Sequence, residues 1–350
     1  MKALVYHGPG QKAWEDVPDP TIIDPTDIIV QIEAVTICGT DLHILKGDVP
    51  AVTDGRVLGH EGAGKIVAVG AAVKSLKVGQ KVTVPAITNC GICEYCKKGL
   101  PSHCQNCPGG VGWIFGHLID GTQAEFVRVP YGETSVQVIP DSLSYSEVLF
   151  LTDIYPTSYE IGVLASQVKP GDNVVVIGAG PVGLAGMVGA NFFAPRTVIA
   201  VDLDEFRLGK AVSDFGATHA VNSGTDGWKD KVKEICGGKG ADAVIEAVGI
   251  PPTLEAAFDL VRPGGFIANV GVHGHPVTMP IERLWIENIT MTMGLVNGTT
   301  AGMLMSLIEA GKLDLKPMCT HTFKLDQMME AYDVFGNAGE HGALKVILEK

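Results

Sequence analysis

The alternation of apolar and polar positions divides the chain into two kinds of segment. Over roughly the first 150 residues, short β-rich runs follow one another: VYH, DIIVQIEAV, GKIVAVG, QKVTVP and AEFVRVP. Turn sequences such as PGQ, DPTD and KVGQ bound them, and long helical patterns are scarce. Such runs between clusters of turn residues predict an irregular β domain. The pattern then changes. NVVVIGAG (173–180), TVIAVD (197–202), HAVN, ADAVIEAVG (241–249), GGFIANVGV and ITMTMGLV read as strands. VGLAGMVGANFFA, EFRLGKAVSDFG, DGWKDKVKEICG and PPTLEAAFDLV read as the helices between them. Strands alternating with helices predict an α/β fold built on a doubly wound parallel sheet. The C-terminal segment returns to a helix, the strand THTFKL, a further helix and the strand ALKVILE.

Composition narrows the class. The 350 residues are 46% hydrophobic and 19% charged, an ordinary globular balance. The net charge of −13, with no basic cluster, argues against nucleic acid as a partner. Residues 173–195 carry no charge over the length of a membrane span, but six glycines or prolines from Gly178 to Gly189 interrupt them. A strand, a glycine turn and a buried helix account for that stretch better than a membrane span. The N-terminal MKALVYHGPG has too short an apolar run for an export signal, so the expected location is the cytoplasm. Cysteines stay reduced there. The eight in this chain are therefore expected as metal ligands or packing residues rather than disulfides.

The segment GAGPVG (178–183) follows a predicted strand and opens a predicted helix. In that context it reads as a dinucleotide-binding turn. Gly178 makes the turn, Gly180 admits a pyrophosphate and Gly183 lets helix pack on strand, while Pro181 and Val182 start the helix. Free N–H groups at the helix start suit phosphate oxygens. Asp202 ends the next strand, where a carboxylate accepts hydrogen bonds from a ribose and repels a 2′-phosphate, so the cofactor expected is NAD rather than NADP.

NCGICEYCKKGLPSHC places Cys90, Cys93, Cys96 and Cys104 at C-x2-C-x2-C-x7-C spacing. Four thiolates so spaced suit a closed, structural zinc, with disulfides or packing cysteines as the alternative. Cys107 falls outside the pattern, and Cys236 and Cys319 are expected to be buried packing residues. Three quieter elements are CGTDLH (38–43), GHEGAG (59–64) and LFLTDIYPTSY (149–159). Taken singly, Cys38 reads as a small hydrophobe, His60 as a structural histidine and Asp153 as a buried acid needing a partner. Taken together they offer the thiolate, imidazole and carboxylate of an open catalytic zinc, and the residues alone leave both readings standing.

Over its full length the chain resembles the zinc-dependent medium-chain alcohol dehydrogenases. The C-G-T-D-x-H, G-H-E-x-x-G, four-cysteine and G-x-G-x-x-G elements occur in that family's order and spacing. The resemblance implies a GroES-like catalytic zinc domain, residues 1–153 and 294–350, around an NAD-binding Rossmann domain, residues 154–293. It implies two Zn2+ per chain: a catalytic one on Cys38, His60 and Asp153, with Glu61 beside it, and a structural one on the four cysteines. Asp153, where many members have Cys, is similar to the bacterial secondary-alcohol branch, as is Trp113. That branch often uses NADP, from which Asp202 departs. The resemblance further implies a proton path from the Thr40 hydroxyl through the cofactor ribose to His43. Ala86 and Trp113 match apolar pocket positions, with core packing as the other reading. The expected substrate is a small apolar, secondary alcohol or the matching ketone or aldehyde. A polyol or amino-alcohol dehydrogenase is the alternative enzyme, and a non-catalytic nucleotide-binding relative the remote one. Relatives are commonly tetramers, so a homo-oligomer is expected, a tetramer before a dimer.

Overall fold

The computed structural model describes Met1–Lys350. It divides into two compact units. The first comprises Met1–Asp153 and Asn297–Lys350, and the second Ile154–Val296. The chain returns to the first unit at Asn297, slightly beyond position 294.

The second unit is a six-stranded, wholly parallel sheet. Its strands are Asn173–Ile177, Thr197–Asp202, His219–Asn222, Ala241–Glu246, Val261–Asn269 and Thr290–Met293. Counted along the chain they lie in the order 3-2-1-4-5-6, the doubly wound arrangement that puts a crevice beside the first strand's C-terminal end. Val174, Val175 and Val176 are fully buried, as the unbroken apolar run requires of a central strand covered on both faces. The uncharged stretch is this strand followed by the helix Pro181–Asn191. No helix of the protein is long and apolar enough to cross a membrane. ITMTMGLV is strand only over Thr290–Met293, with Gly294 immediately beyond. GGFIANVGV pairs as part of a longer strand starting at Val261, irregular near its start.

The first unit is built on a seven-stranded sheet. Its long central strand, Ile28–Thr36, pairs antiparallel with Gly62–Val69, Phe126–Val129 and Lys345–Glu349. Ile28, Val30, Ile32 and Val35 point into its core with Leu4, Val82, Val84 and Val346. A smaller three-stranded sheet runs beside them through Lys2–Tyr6. The C-terminal strand Lys345–Glu349 is thus inserted next to the central strand, more than 300 positions away in sequence.

Candidate active site

Cys38 is the N-cap of the helix Gly39–Lys46, which Gly47 ends in a left-handed conformation at φ 86°. Asp41 in the first turn accepts a hydrogen bond from the Cys38 backbone N–H at 2.9 Å. His60 and Glu61 enter from the turn before strand Gly62–Val69. Gly59 makes that turn at φ +93°, and a Cβ there would fall 2.5 Å from Cγ of Gln123. Asp153 follows the 3₁₀ turn Leu149–Thr152. These three segments bring one donor atom each from Cys38, His60, Glu61 and Asp153 within 4.8 Å of one another. Cys38 Sγ lies 3.9 Å from Asp153 Oδ2, and His60 Nε2 lies 3.3 Å from the same oxygen.

Such a grouping is hard to sustain without a cation. His60 and Glu61 are buried. Burial opposes a charge on His60, but Asp41 and Asp153 outweigh it and hold the imidazole well above its ordinary range. Burial, with the Glu61 charge adding to it, pushes the Cys38 thiol up. A divalent cation reverses both tendencies: it favours the thiolate and takes the imidazole nitrogen in place of a proton. A thiol, an imidazole and carboxylates so close together are the donors zinc takes in an open site, and they fit that ion. Glu61 is also held from behind. Lys345 Nζ donates to its two oxygens at 2.7 and 3.0 Å and to the Ile37 carbonyl at 2.8 Å. Burial works against the Lys345 charge, and the Glu61 carboxylate more than offsets this.

Thr40 Oγ1 lies 3.7 Å from Cys38 Sγ. His43 is half exposed, and its Nδ1 lies 2.8 Å from the Asp48 carboxylate. Trp113 meets the His60 ring edge-on at 6.3 Å between centroids, and its other neighbour His117 stacks on it at 4.3 Å. Ala86 is buried and donates its backbone N–H to the Thr152 carbonyl at 2.8 Å, beside Asp153. The structure therefore places both proposed pocket residues next to ligand-bearing segments.

Cys90, Cys93, Cys96 and Cys104 form a second cluster within the same 4.8 Å limit. Backbone N–H groups point at its sulfurs: Cys90 to Cys104 at 3.3 Å, Cys93 to Cys90 at 3.4 Å and Cys96 to Cys93 at 3.5 Å. The Cys96 N–H holds the Cys93 thiol down at about 6. Four sulfurs with N–H donors behind them fit a closed zinc site. Cys107 is buried alongside but donates its thiol to the Thr88 carbonyl at 3.3 Å. Cys236 is buried, whereas Cys319 is only partly so. All eight cysteines are unpaired.

In the second unit, Gly178 has φ +98°, and a Cβ on Gly183 would overlap the Gly178 carbonyl oxygen. A Cβ on Gly180 would meet only the Arg207 guanidinium, at 4.0 Å. The turn is thus closed on its protein side and open where a pyrophosphate would approach, which fits a dinucleotide. Pro181 and Val182 form the first helical turn above it, with Gly180 as N-cap. Asp202 is oriented by the N–H groups of Ala179 at 2.6 Å and Asp204 at 2.9 Å. Asp41, Gln123, Lys345 and Arg207 are residues that sequence reasoning passed over.

Residues 24–141 match the alcohol dehydrogenase GroES-like domain, and residues 181–310 match the zinc-binding dehydrogenase domain. An alcohol dehydrogenase from Cupriavidus necator is 35% identical over 365 aligned positions, spanning 100% of this chain and 98% of that protein. The chain belongs to the zinc-dependent medium-chain alcohol dehydrogenases. It is thus an oxidoreductase with a GroES-like domain and a Rossmann domain. Two solved alcohol dehydrogenases are similar to it throughout. Zinc-dependent alcohol dehydrogenase 2 from Streptococcus pneumoniae is 45% identical with a TM-score of 0.95, covering 100% of this chain and 98% of that one. The enzyme from Thermus sp. ATN1 is 34% identical with a TM-score of 0.92, covering 100% and 99%.

Proposed function

We propose that this alcohol dehydrogenase uses NAD and a catalytic zinc to interconvert a small apolar, secondary alcohol and its ketone. The observation that carries the reading is the convergence of Cys38, His60, Glu61 and Asp153 within 4.8 Å. Zinc bound there supplies Lewis acidity toward an alcohol oxygen, and NAD supplies the hydride acceptor. Cys38, His60 and Asp153 would hold the metal, and Glu61, tied back by Lys345, would stand beside it. The Thr40 hydroxyl would accept the substrate proton as it gives up its own toward the cofactor ribose, and His43, at the far end of that path, would release a proton to water. Asp202 orients the adenosine ribose and disfavours a 2′-phosphate. Cys90, Cys93, Cys96 and Cys104 hold a structural zinc that pins their loop.

Trp113 and Ala86 support the apolar substrate. Ala86 has no side-chain hydrogen-bonding group and Trp113 only one indole N–H, too few for the extra hydroxyls of a buried polyol. Eight unpaired cysteines support a reducing, cytoplasmic setting. The edge strand Thr290–Met293 pairs on one side only, and Met293, Trp285 and Ile286 are each more than 60% exposed nearby. An open edge with apolar neighbours supports pairing with a second copy, in a homo-oligomer that we read as a tetramer.

A panel of secondary alcohols, primary alcohols and polyols, assayed with NAD and with NADP, tests the reading. Highest kcat/KM is expected for a secondary alcohol with NAD. A preference for sorbitol-like polyols, or equal use of NADP, would overturn the assignment of substrate or cofactor.

A further inference from the structure

Behind His60 runs a buried polar chain that leads away from the proposed metal. Asp41 is 1% exposed. Its Oδ2 accepts from the Cys38 backbone N–H at 2.9 Å and from Gln123 Nε2 at 3.0 Å. Its Oδ1 faces His60 Nδ1 at 3.5 Å, and each of these two atoms lacks any closer partner. Gln123 is fully buried, and its Oε1 accepts the hydroxyl of Tyr332 at 2.8 Å. Tyr332 is itself 3% exposed and belongs to the helix Met328–Gly336.

The polarity of this chain is dictated by chemistry. Asp41 Oδ2 already accepts the Cys38 backbone N–H, so Gln123 turns its NH2 toward that same oxygen. The amide oxygen then points to Tyr332, whose hydroxyl is the one donor available to it. Turning the amide over would set oxygen against carboxylate and leave the phenol proton facing an NH2 group. With Gln123 so fixed, Asp41 Oδ2 is occupied and Oδ1 is left for His60 Nδ1. With Nε2, 3.3 Å from Asp153 and on the Cys38 side, given to a metal, the ring's one proton would sit on Nδ1 and face Asp41 Oδ1. Space is reserved as well. Gly59, immediately before His60, has no side chain where a Cβ would come within 2.5 Å of Gln123 Cγ and 2.7 Å of its backbone nitrogen.

We propose that Gln123 and Tyr332 are positioning residues that act through Asp41 to fix the tautomer and angle of His60, and thereby set how tightly the catalytic site holds its metal. The inference rests on reading Cys38, His60 and Asp153 as metal ligands. Partners behind a ligating histidine commonly govern metal affinity by about 10–100-fold. The chain ties that affinity to a C-terminal helix more than 250 positions along the sequence from the ligand it serves.

The test uses the full-length, zinc-loaded protein and two variants, Tyr332→Phe and Gln123→Met. Release of each zinc to a chelator is timed, and the visible spectrum is recorded with cobalt in the catalytic site. Tyr332→Phe removes one hydroxyl and keeps the ring, so the fold is retained. It is expected to release the catalytic zinc about tenfold faster and to shift the cobalt bands, with Gln123→Met larger in both. Release from the four-cysteine site serves as the internal control and is expected to be unchanged. Wild-type release rates and an unshifted cobalt spectrum in Tyr332→Phe would overturn the proposal and leave both residues as packing. A wild-type protein that holds only one zinc would instead overturn the metal-site reading, and this inference with it.

Discussion

Lys345 places its ammonium against both oxygens of Glu61, at 2.7 and 3.0 Å, with neither side chain more than 1% exposed. Breaking a buried pair on one side leaves the other charge uncompensated. Lys345→Met is therefore expected to destabilise the protein by about 3–5 kcal/mol. Lys345→Met with Glu61→Gln should recover part of that loss, because the stranded carboxylate is gone. Calorimetric melting of the two proteins checks this, and a single variant as stable as the wild type would refute it.

The glycines of the cofactor turn should separate by mechanism. Gly183→Ala forces a methyl into the Gly178 carbonyl and should lower the melting temperature. Gly180→Ala meets only Arg207, at 4.0 Å, so it should fold normally while raising KM for NAD by about tenfold or more. Asp202→Ala should shift the NAD/NADP preference toward NADP by at least about tenfold, since it removes the charge that repels a 2′-phosphate. Thermal melting reads the first, and steady-state kinetics with both cofactors reads the other two.

His43, half exposed beside Asp48, is suited to exchanging protons with water. His43→Ala is expected to slow alcohol oxidation by about 100-fold or more. Added imidazole buffer should restore part of the rate in the variant and leave the wild type unaffected. Absence of any rescue, with an unchanged rate, would take His43 out of the path.

Glu147 accepts from the Ser144 backbone N–H and hydroxyl, both at 2.8 Å, and pairs with Lys316 at 3.0 Å. The Ser144 contacts come first and Lys316 second in holding its carboxyl down, from 4.5 to about 2. A depressed folded-state pKa means stability that is present above pH 4.5 and lost as pH falls from there toward 2. Its partial exposure limits the size. Glu147→Gln should cost about 1 kcal/mol at neutral pH, and the gap from wild type should close on acidification. Melting temperatures of both proteins across pH 3–7 test the sign.

How far the sequence disclosed this molecule depended on range. The strands from Asn173 to Met293 were legible because each is a local apolar run bounded by its own turn residues. The four clustered cysteines were legible for the same reason. Cys38, His60 and Asp153 could be grouped only through resemblance, since three loops must meet before they share a site. Nothing local marked Asp41, Gln123 or Tyr332, whose polar atoms find their partners only once the fold is complete. Lys345 carried a faint signal: within ALKVILE it is a charge inside an apolar strand, and such a charge needs a buried partner. The partner, Glu61, is 284 positions away. Cys319 was misjudged because the strand Cys319–Lys324 lies at the end of its sheet, where packing on it is incomplete.

On the proposed reading, Cys38, His60 and Asp153 form a catalytic zinc site distinct from the four-cysteine site. Zinc content and turnover, measured together on the wild type and on Cys38→Ser, test it most directly. Two zincs per chain and an active enzyme are expected for the wild type, and one zinc with turnover all but lost in a folded Cys38→Ser. A Cys38→Ser protein that keeps two zincs and near-normal turnover would contradict it.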